Sequence, residues 1–361
     1  MLKSLYYKAL NNRKYLQPEP EKKDKSFLDE KWFDKSFDKN EMDFSIAAGD
    51  GSFNIKKFLR FNYCPVGAEA LIYDGNIKHI EQAEIFEINH ISFLKDLISN
   101  YMAIFELKCC LKAIAEYDID YYLFDGSLFG DLQNHYPKWV KQPSDIKHLN
   151  EGVLKLFTDK INDLSNLDLS FPEIKSKVFV HVSCEGSDDY DDEMDEVYSL
   201  YLSSIEKLLV LREVLKNNKK IISISKTSSN NELFHWKAPD IGVLDQFTQK
   251  QGISKIIHKK VERDIKVPFP VYNDFFNKLW FTIFYVRLED NKNILKVELP
   301  YYAEEEEVEE IVRIIKRDAA EGYPYLLNKA HNDVIITNKH VEELLKIGRI
   351  YEKTNREQLK M

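Results

Sequence analysis

The chain has 361 residues, 44% hydrophobic and 31% charged, and its 51 basic against 60 acidic residues leave a net charge of −9. That apolar share can build a sizeable core and excludes a wholly disordered chain, while no apolar run approaches the roughly 18 residues of a membrane-spanning helix. Four cysteines, two of them adjacent (Cys109 and Cys110) and none in a CxxC spacing, exclude a disulfide scaffold and predict a reducing, cytoplasmic setting.

Residues 1–40 are densely charged with isolated aromatics, and read as an N-terminal arm that opens with a helix and lies outside the core. From residue 43 the texture changes. DFSIAAGDGS reads as a short apolar strand ending at Asp50, with Gly51 permitting a sharp turn. Further strands are expected at Arg60–Tyr63, Ala68–Tyr73 and Glu84–Asn89, with the Asp-Gly of residues 74–76 as a hairpin signal. Residues 91–117 form the first long helix. Its main apolar stripe is Leu94, Leu97, Ile98, Tyr101 and Phe105. A second stripe of small residues (Ser99, Ala103, Cys110, Ala113) flanks Glu106 and lets the helix approach a sheet closely. DIDYYLFDGS then repeats the pattern of a buried strand ending in Asp-Gly-Ser, at Asp125.

Beyond Gly130 a helix around 146–164 and a strand around 177–183 are expected. The acidic run 185–196 lacks calcium-loop spacing and reads as a solvated loop. An amphipathic helix follows at about 196–217, then a strand ending in Lys226-Thr227-Ser228. Aromatic-rich strands at 278–288 and 293–299 flank an EDNKN turn. An acid-fronted helix follows, suited to its own dipole, and a last helix starts near 338. With no internal repeat or low-complexity linker, the reading is one elaborated α/β domain over residues 41–340. It carries an insertion around 135–220 and a C-terminal helix over 341–361.

The chemistry concentrates on Asp50 and Asp125. Singly, each Asp-Gly reads as a turn former. Together, two strand-end carboxylates joined by Glu106 from the intervening helix repel one another unless divalent cations neutralise them, as metal-assisted phosphodiester cleavage requires. An acidic chain is a poor coat for nucleic acid, but a nuclease site collects carboxylates, so the net charge excludes only passive binding. Asp120 and Asp131 read as cap or turn residues. By itself His331 reads as a structural hydrogen-bonder, and Lys226 as a solvated strand end or a phosphate-holding point charge. No phosphate loop, G-x-S-x-G or G-x-G-x-x-G occurs.

The strand order with Asp50 and Asp125 resembles a ribonuclease H-like fold, a mixed sheet flanked by helices. More narrowly, AAGDGS, the Glu106 helix, YLFDGSL, ISISKTS, GVLDQF and YPYLLNKAH resemble the NurA family of DNA-repair nucleases, in short islands from about residue 43 to 340. The resemblance implies a manganese-dependent deoxyribonuclease acting on single- and double-stranded DNA, with 5′-to-3′ exonuclease and single-strand endonuclease activity; magnesium is an alternative ion. It also implies a homodimer working with a hexameric HerA-type ATPase in end resection. Carried over by motif, Asp50, Glu106, Asp125 and His331 are the metal ligands and Lys226 a phosphate-binding residue. The expected division has one ion between Asp50 and Asp125 and a second nearer Glu106 and His331. The rival readings are a non-catalytic ribonuclease H-like scaffold and a metal nuclease of another such family.

Overall fold

The computed structural model describes residues 2–16, 25–38, 44–136, 157, 173–177 and 192–350. In chain order the strands of its main sheet are β1 (Trp32–Asp34), β2 (Ile46–Phe53), β3 (Lys56–Lys57), β4 (Asn62–Tyr73), β5 (Ile77–Ile88), β6 (Tyr121–Asp125) and β7 (Ile221–Ser225). They continue with β8 (Gly252–Ser254), β9 (Ile257–Lys260), β10 (Trp280–Arg287) and β11 (Leu295–Leu299). After the N-terminal helix α1 (Lys3–Leu16), the helices that frame the sheet are α2 (Leu94–Tyr117), α3 (Leu128–Gln133), α4 (Asp192–Leu215) and α5 (Asp240–Phe247). Last come α6 (Glu305–Arg317), α7 (Tyr325–Val334) and α8 (Asn338–Ile347). No helix among the described residues is long and apolar enough to cross a membrane.

The centre of the sheet runs β5–β4–β2–β6–β7. β2, β4 and β5 pair antiparallel in succession, whereas β6 and β7 run parallel to β2. That order and polarity is the ribonuclease H-like arrangement, and β11 and β10 extend it antiparallel beyond β7. The central strands are buried on both faces and so read as near-continuous apolar runs. Ala47, Tyr122 and Phe124 face a core shared with α2 and α4. Ile46, Ala48, Leu123 and Ile224 face a second core, capped by Ile311 and Ile315 of α6 and Leu326, Leu327 and Ala330 of α7. In α6, Glu305–Glu307 open the helix and Lys316 and Arg317 close it, matching both ends of its dipole.

Three local expectations change. The strand expected at Arg60–Tyr63 begins only at Asn62 and is continuous with Ala68–Tyr73 in β4, since Pro65 stays in the ladder by accepting from Asn54 N at 3.1 Å. Gly51 makes no turn, because β2 runs on to Phe53 against β4. Part of the charged arm also belongs to the fold. β1 pairs with β8, and Trp32 and Phe37 are buried. Burial of large apolar side chains, at roughly 1.5–3 kcal/mol each, outweighs the hydrophilic text around them. The helix expected around 146–164, apart from Phe157, the strand expected around 177–183, apart from the helical Lys177, and the acidic run up to residue 191 lie outside the described residues; residues 192–196 of that run open α4 instead of forming a loop.

Candidate metal centre

Asp50 and Asp125 meet where two strands part. The parallel β2–β6 ladder runs from Ile46↔Tyr121 to Gly49↔Phe124 and stops there, leaving the next residue of each strand at the sheet's edge. Asp50 continues the alternation of Ile46 and Ala48, so its side chain emerges on the α7 face. Asp125 lies in register with Ile224 of β7. Lys226, two residues further along, shares that face and places Nζ 3.9 Å from Asp125 Oδ2. The backbone N–H of Gly51 donates to Asp50 Oδ1 at 2.8 Å, fixing the carboxylate.

His331 arrives from α7, which lies across β2 on its buried Leu326, Leu327 and Ala330. Its Nδ1 is 2.6 Å from Asp50 Oδ2. A carboxylate oxygen accepts, so Nδ1 is the donor and Nε2 is the free ring nitrogen. Both ends of α7 are pinned. Leu326 N donates to Asp318 Oδ2 at 3.1 Å, and beyond the helix Ile336 N donates to Ser52 Oγ at 3.0 Å. Ser52 thus explains the serine of the first Asp-Gly-Ser. In the second, Ser127 Oγ accepts from Gly130 N at 3.0 Å to cap α3 and donates to the buried Glu298 at 2.6 Å. Gly126 between them adopts φ +128°, a conformation that favours glycine.

Glu106 comes from the opposite side of β2. It is buried on α2 against Gly51, where a Cβ would lie 2.5 Å from its Oε1 and 2.8 Å from its Cγ. The close approach expected of this helix therefore occurs, and it accounts for Gly51. Burial, then the charges of Asp50, Asp131 and Asp125, push the Glu106 carboxyl well above the usual carboxylate range; Lys207 of α4 opposes them. Burial and the charge of Asp50 also raise Asp125, against the pull of Lys226, His331 and the Tyr323 hydroxyl.

Asp50, Asp125 and His331 each offer one ligand atom within 4.8 Å of the others. Two carboxylates and an imidazole are donors suited to a divalent ion such as manganese. The like-charge crowding that raises Asp125 is what such an ion would relieve. Residues and site therefore fit a divalent cation.

The NurA domain profile matches residues 44–336. The chain belongs to the NurA family. It is 30% identical to the probable DNA double-strand break repair nuclease NurA of Methanocaldococcus jannaschii, over 89% of this chain and 82% of that protein. The crystal structure of the NurA nuclease from Sulfolobus solfataricus superposes with a TM-score of 0.73 at 24% identity, covering 96% of both chains. A NurA crystal structure bound to dAMP and manganese superposes at 0.62 with 16% identity, covering all of both chains.

Of the five expected site residues, this NurA chain brings Asp50, Asp125 and His331 together and sets Lys226 beside them. Glu106 falls outside that group and reaches it electrostatically from the other face of β2. His331 is thus grouped with Asp50 rather than with Glu106. Sequence reasoning missed Tyr323. Its hydroxyl is buried without a well-formed hydrogen bond, its ring lies 4.2 Å beneath Lys226 Nζ, and burial with the charges of Asp125 and Asp50 raises its pKa, holding the phenol neutral. It also missed Lys207, a largely buried cation paired with Asp131 at 3.1 Å. A lysine on the apolar face of a helix was the available signal. Asp120 stands apart, accepting from Ser45 N at 2.7 Å.

Proposed function

We propose that this chain is a manganese-dependent deoxyribonuclease of double-strand-break repair. The observation that carries the reading is the convergence of Asp50, Asp125 and His331 from β2, β6 and α7 within 4.8 Å. Family membership and the likeness to the probable double-strand break repair nuclease of M. jannaschii support it, as does the binding of dAMP and manganese by a NurA of the same fold.

Asp50, Asp125 and His331 would hold the cation, and a bound cation would favour ionisation of the Glu106 carboxyl behind β2. When bound, such a cation supplies Lewis-acid stabilisation of the charge that develops on a phosphodiester during cleavage. Asp50 orients the His331 ring through Nδ1, leaving Nε2 as the ring nitrogen available to a ligand. Lys226 offers a point charge to a non-bridging phosphate oxygen, its position set by Asp125 and the Tyr323 ring. On this reading the substrates are single- and double-stranded DNA, cut in the 5′-to-3′ exonuclease and single-strand endonuclease modes that the family resemblance implies. The protein acts in the cytoplasm as a homodimer. A hexameric HerA-type ATPase feeds duplex ends to it during resection, compensating for the weak attraction of a −9 chain to phosphate.

The test is cleavage of labelled single-stranded and linear duplex DNA with manganese, with magnesium and with EDTA, by wild type and Asp125→Asn. Cleavage should need the divalent ion and fall at least about a thousandfold in the variant, with its fold intact. Cleavage in EDTA, or by the variant at wild-type rate, would refute the site. A cognate ATPase with ATP should stimulate duplex degradation strongly; equal rates without it would remove the partner and leave the site standing.

A further inference from the structure

The carboxylates of the α7 face do not stop at Asp50. Asp50 pairs directly with Glu69 of β4, and Glu69 pairs directly with Glu81 of β5. Directly opposed residues in antiparallel strands share a face, so Asp50, Glu69 and Glu81 stand in a row. His79, two residues before Glu81, shares that face as well. Its Nδ1 lies 2.6 Å from Glu69 Oε1.

Glu69 is only 6% exposed, and its second oxygen, Oε2, is buried with no hydrogen-bond partner. A buried polar group left unpaired destabilises the fold, and more so when charged. Like charges directly opposed across two strands add to that cost. Lys329 of α7, whose charge reaches Glu69, is itself ion-paired with Asp333. Glu69, His79 and Glu81 each offer one ligand atom within 4.8 Å of the others. Small side-chain rotations of the two exposed members would bring such atoms onto one ion at the roughly 2.0–2.2 Å typical of imidazole and carboxylate ligands.

The geometry points to a second divalent-cation site at Glu69, His79 and Glu81, separate from the Asp50–Asp125–His331 group and taking a transition ion such as zinc or manganese. One imidazole with two carboxylates is the donor set such ions favour over calcium. The ion satisfies Glu69 Oε2 and ties β4 to β5. It also lowers the negative potential beside Asp50, so it tunes the neighbouring group without belonging to it. The site does not depend on the chain being a nuclease.

The full chain, stripped with chelator, is titrated with zinc chloride and with manganese chloride, and bound ions are counted by mass spectrometry after gel filtration. Asp50→Asn/Asp125→Asn should still bind one ion per chain, with nitrogen coordination visible in zinc X-ray absorption and a melting temperature raised by the ion. Adding His79→Ala and Glu81→Gln should weaken that binding at least tenfold. Because His79 and Glu81 are exposed, their double variant folds, and on the wild-type background it should bind one ion fewer. No ion bound by Asp50→Asn/Asp125→Asn, or an unchanged count in His79→Ala/Glu81→Gln, would overturn the site. Loss of nuclease activity in the first variant bears only on the other group.

Discussion

Gly51→Ala tests how the fold couples α2 to the candidate metal centre. The added methyl would lie 2.5 Å from Glu106 Oε1, 2.8 Å from Glu106 Cγ and 2.8 Å from Met102 Cγ. α2 cannot simply withdraw, because Tyr101, Ile104, Phe105 and Cys109 are buried around the contact. Overpacking of this kind costs about 1–3 kcal/mol. It also displaces the Glu106 carboxyl, and a shift of about 1 Å in a catalytic constellation can cost about a hundredfold in rate. Gly67→Ala is the matched control. It lies in the neighbouring strand, where a Cβ meets nothing closer than 3.7 Å, and it should change stability by less than about 0.5 kcal/mol. The assay is urea unfolding of both variants with cleavage of single-stranded DNA in manganese. Adding Glu106→Ala removes two of the three clashes, so Gly51→Ala should cost about 1 kcal/mol less in that background. Wild-type stability and activity in Gly51→Ala would refute the close approach. An undiminished cost beside Glu106→Ala would place the strain elsewhere.

Glu106→Gln keeps the volume of a carboxyl that burial and neighbouring charges hold toward its neutral form. The metal-free melting temperature should therefore hold or rise, while manganese affinity and cleavage fall together; activity retained at low micromolar manganese would make Glu106 purely structural. Asp318, which accepts from Leu326 at the start of α7, is pushed by burial from 3.8 to about 6. Between those values the folded chain holds a proton that the unfolded chain has lost, so stability falls as pH rises from about 4 to about 6, by at most about 3 kcal/mol. Asp318→Asn keeps the acceptor, should flatten that slope in metal-free melts and should stabilise the chain at pH 7 by about 1–3 kcal/mol; an unchanged pH profile would contradict it.

Much of this architecture is legible in the sequence because local physics sets it. The Asp-Gly of residues 74–76 turns β4 into β5, and the 3.6-residue period marks α2 and α6. The two Asp-Gly-Ser motifs mark neighbouring strands, and a carboxylate among small residues marks close packing at Glu106. What escapes is what distant parts of the chain decide. Gly51 reads as a turn until the helix opposite it is seen. Trp32 and Phe37 look like stray aromatics until β1 finds β8. His331 meets Asp50 across 281 residues of sequence, a register no local pattern encodes. Glu69 did leave a signal, as a lone carboxylate inside the apolar run of β4, and the cross-strand register gives it meaning.

The row Asp125–Asp50–Glu69–Glu81 concentrates negative charge on one face of a sheet that is otherwise apolar there. Two unit charges 4 Å apart repel by about 4 kcal/mol at an effective dielectric of 20, so the arrangement works against the fold that holds it. His331, Lys226 and His79 offset part of that repulsion, while Glu69 Oε2 stays unsatisfied. Functional sites are where a sequence breaks the rules of stable design and relies on rigid surroundings to tolerate it. Here β2, β6, α2 and α7 are those surroundings, each fixed by cores on both sides of the sheet. Ion binding and stability are therefore linked. A cation at a hundred times its dissociation constant adds about 2.7 kcal/mol to the folded state. On the proposed reading, the same carboxylates that destabilise the metal-free chain would make its stability sensitive to a bound cation.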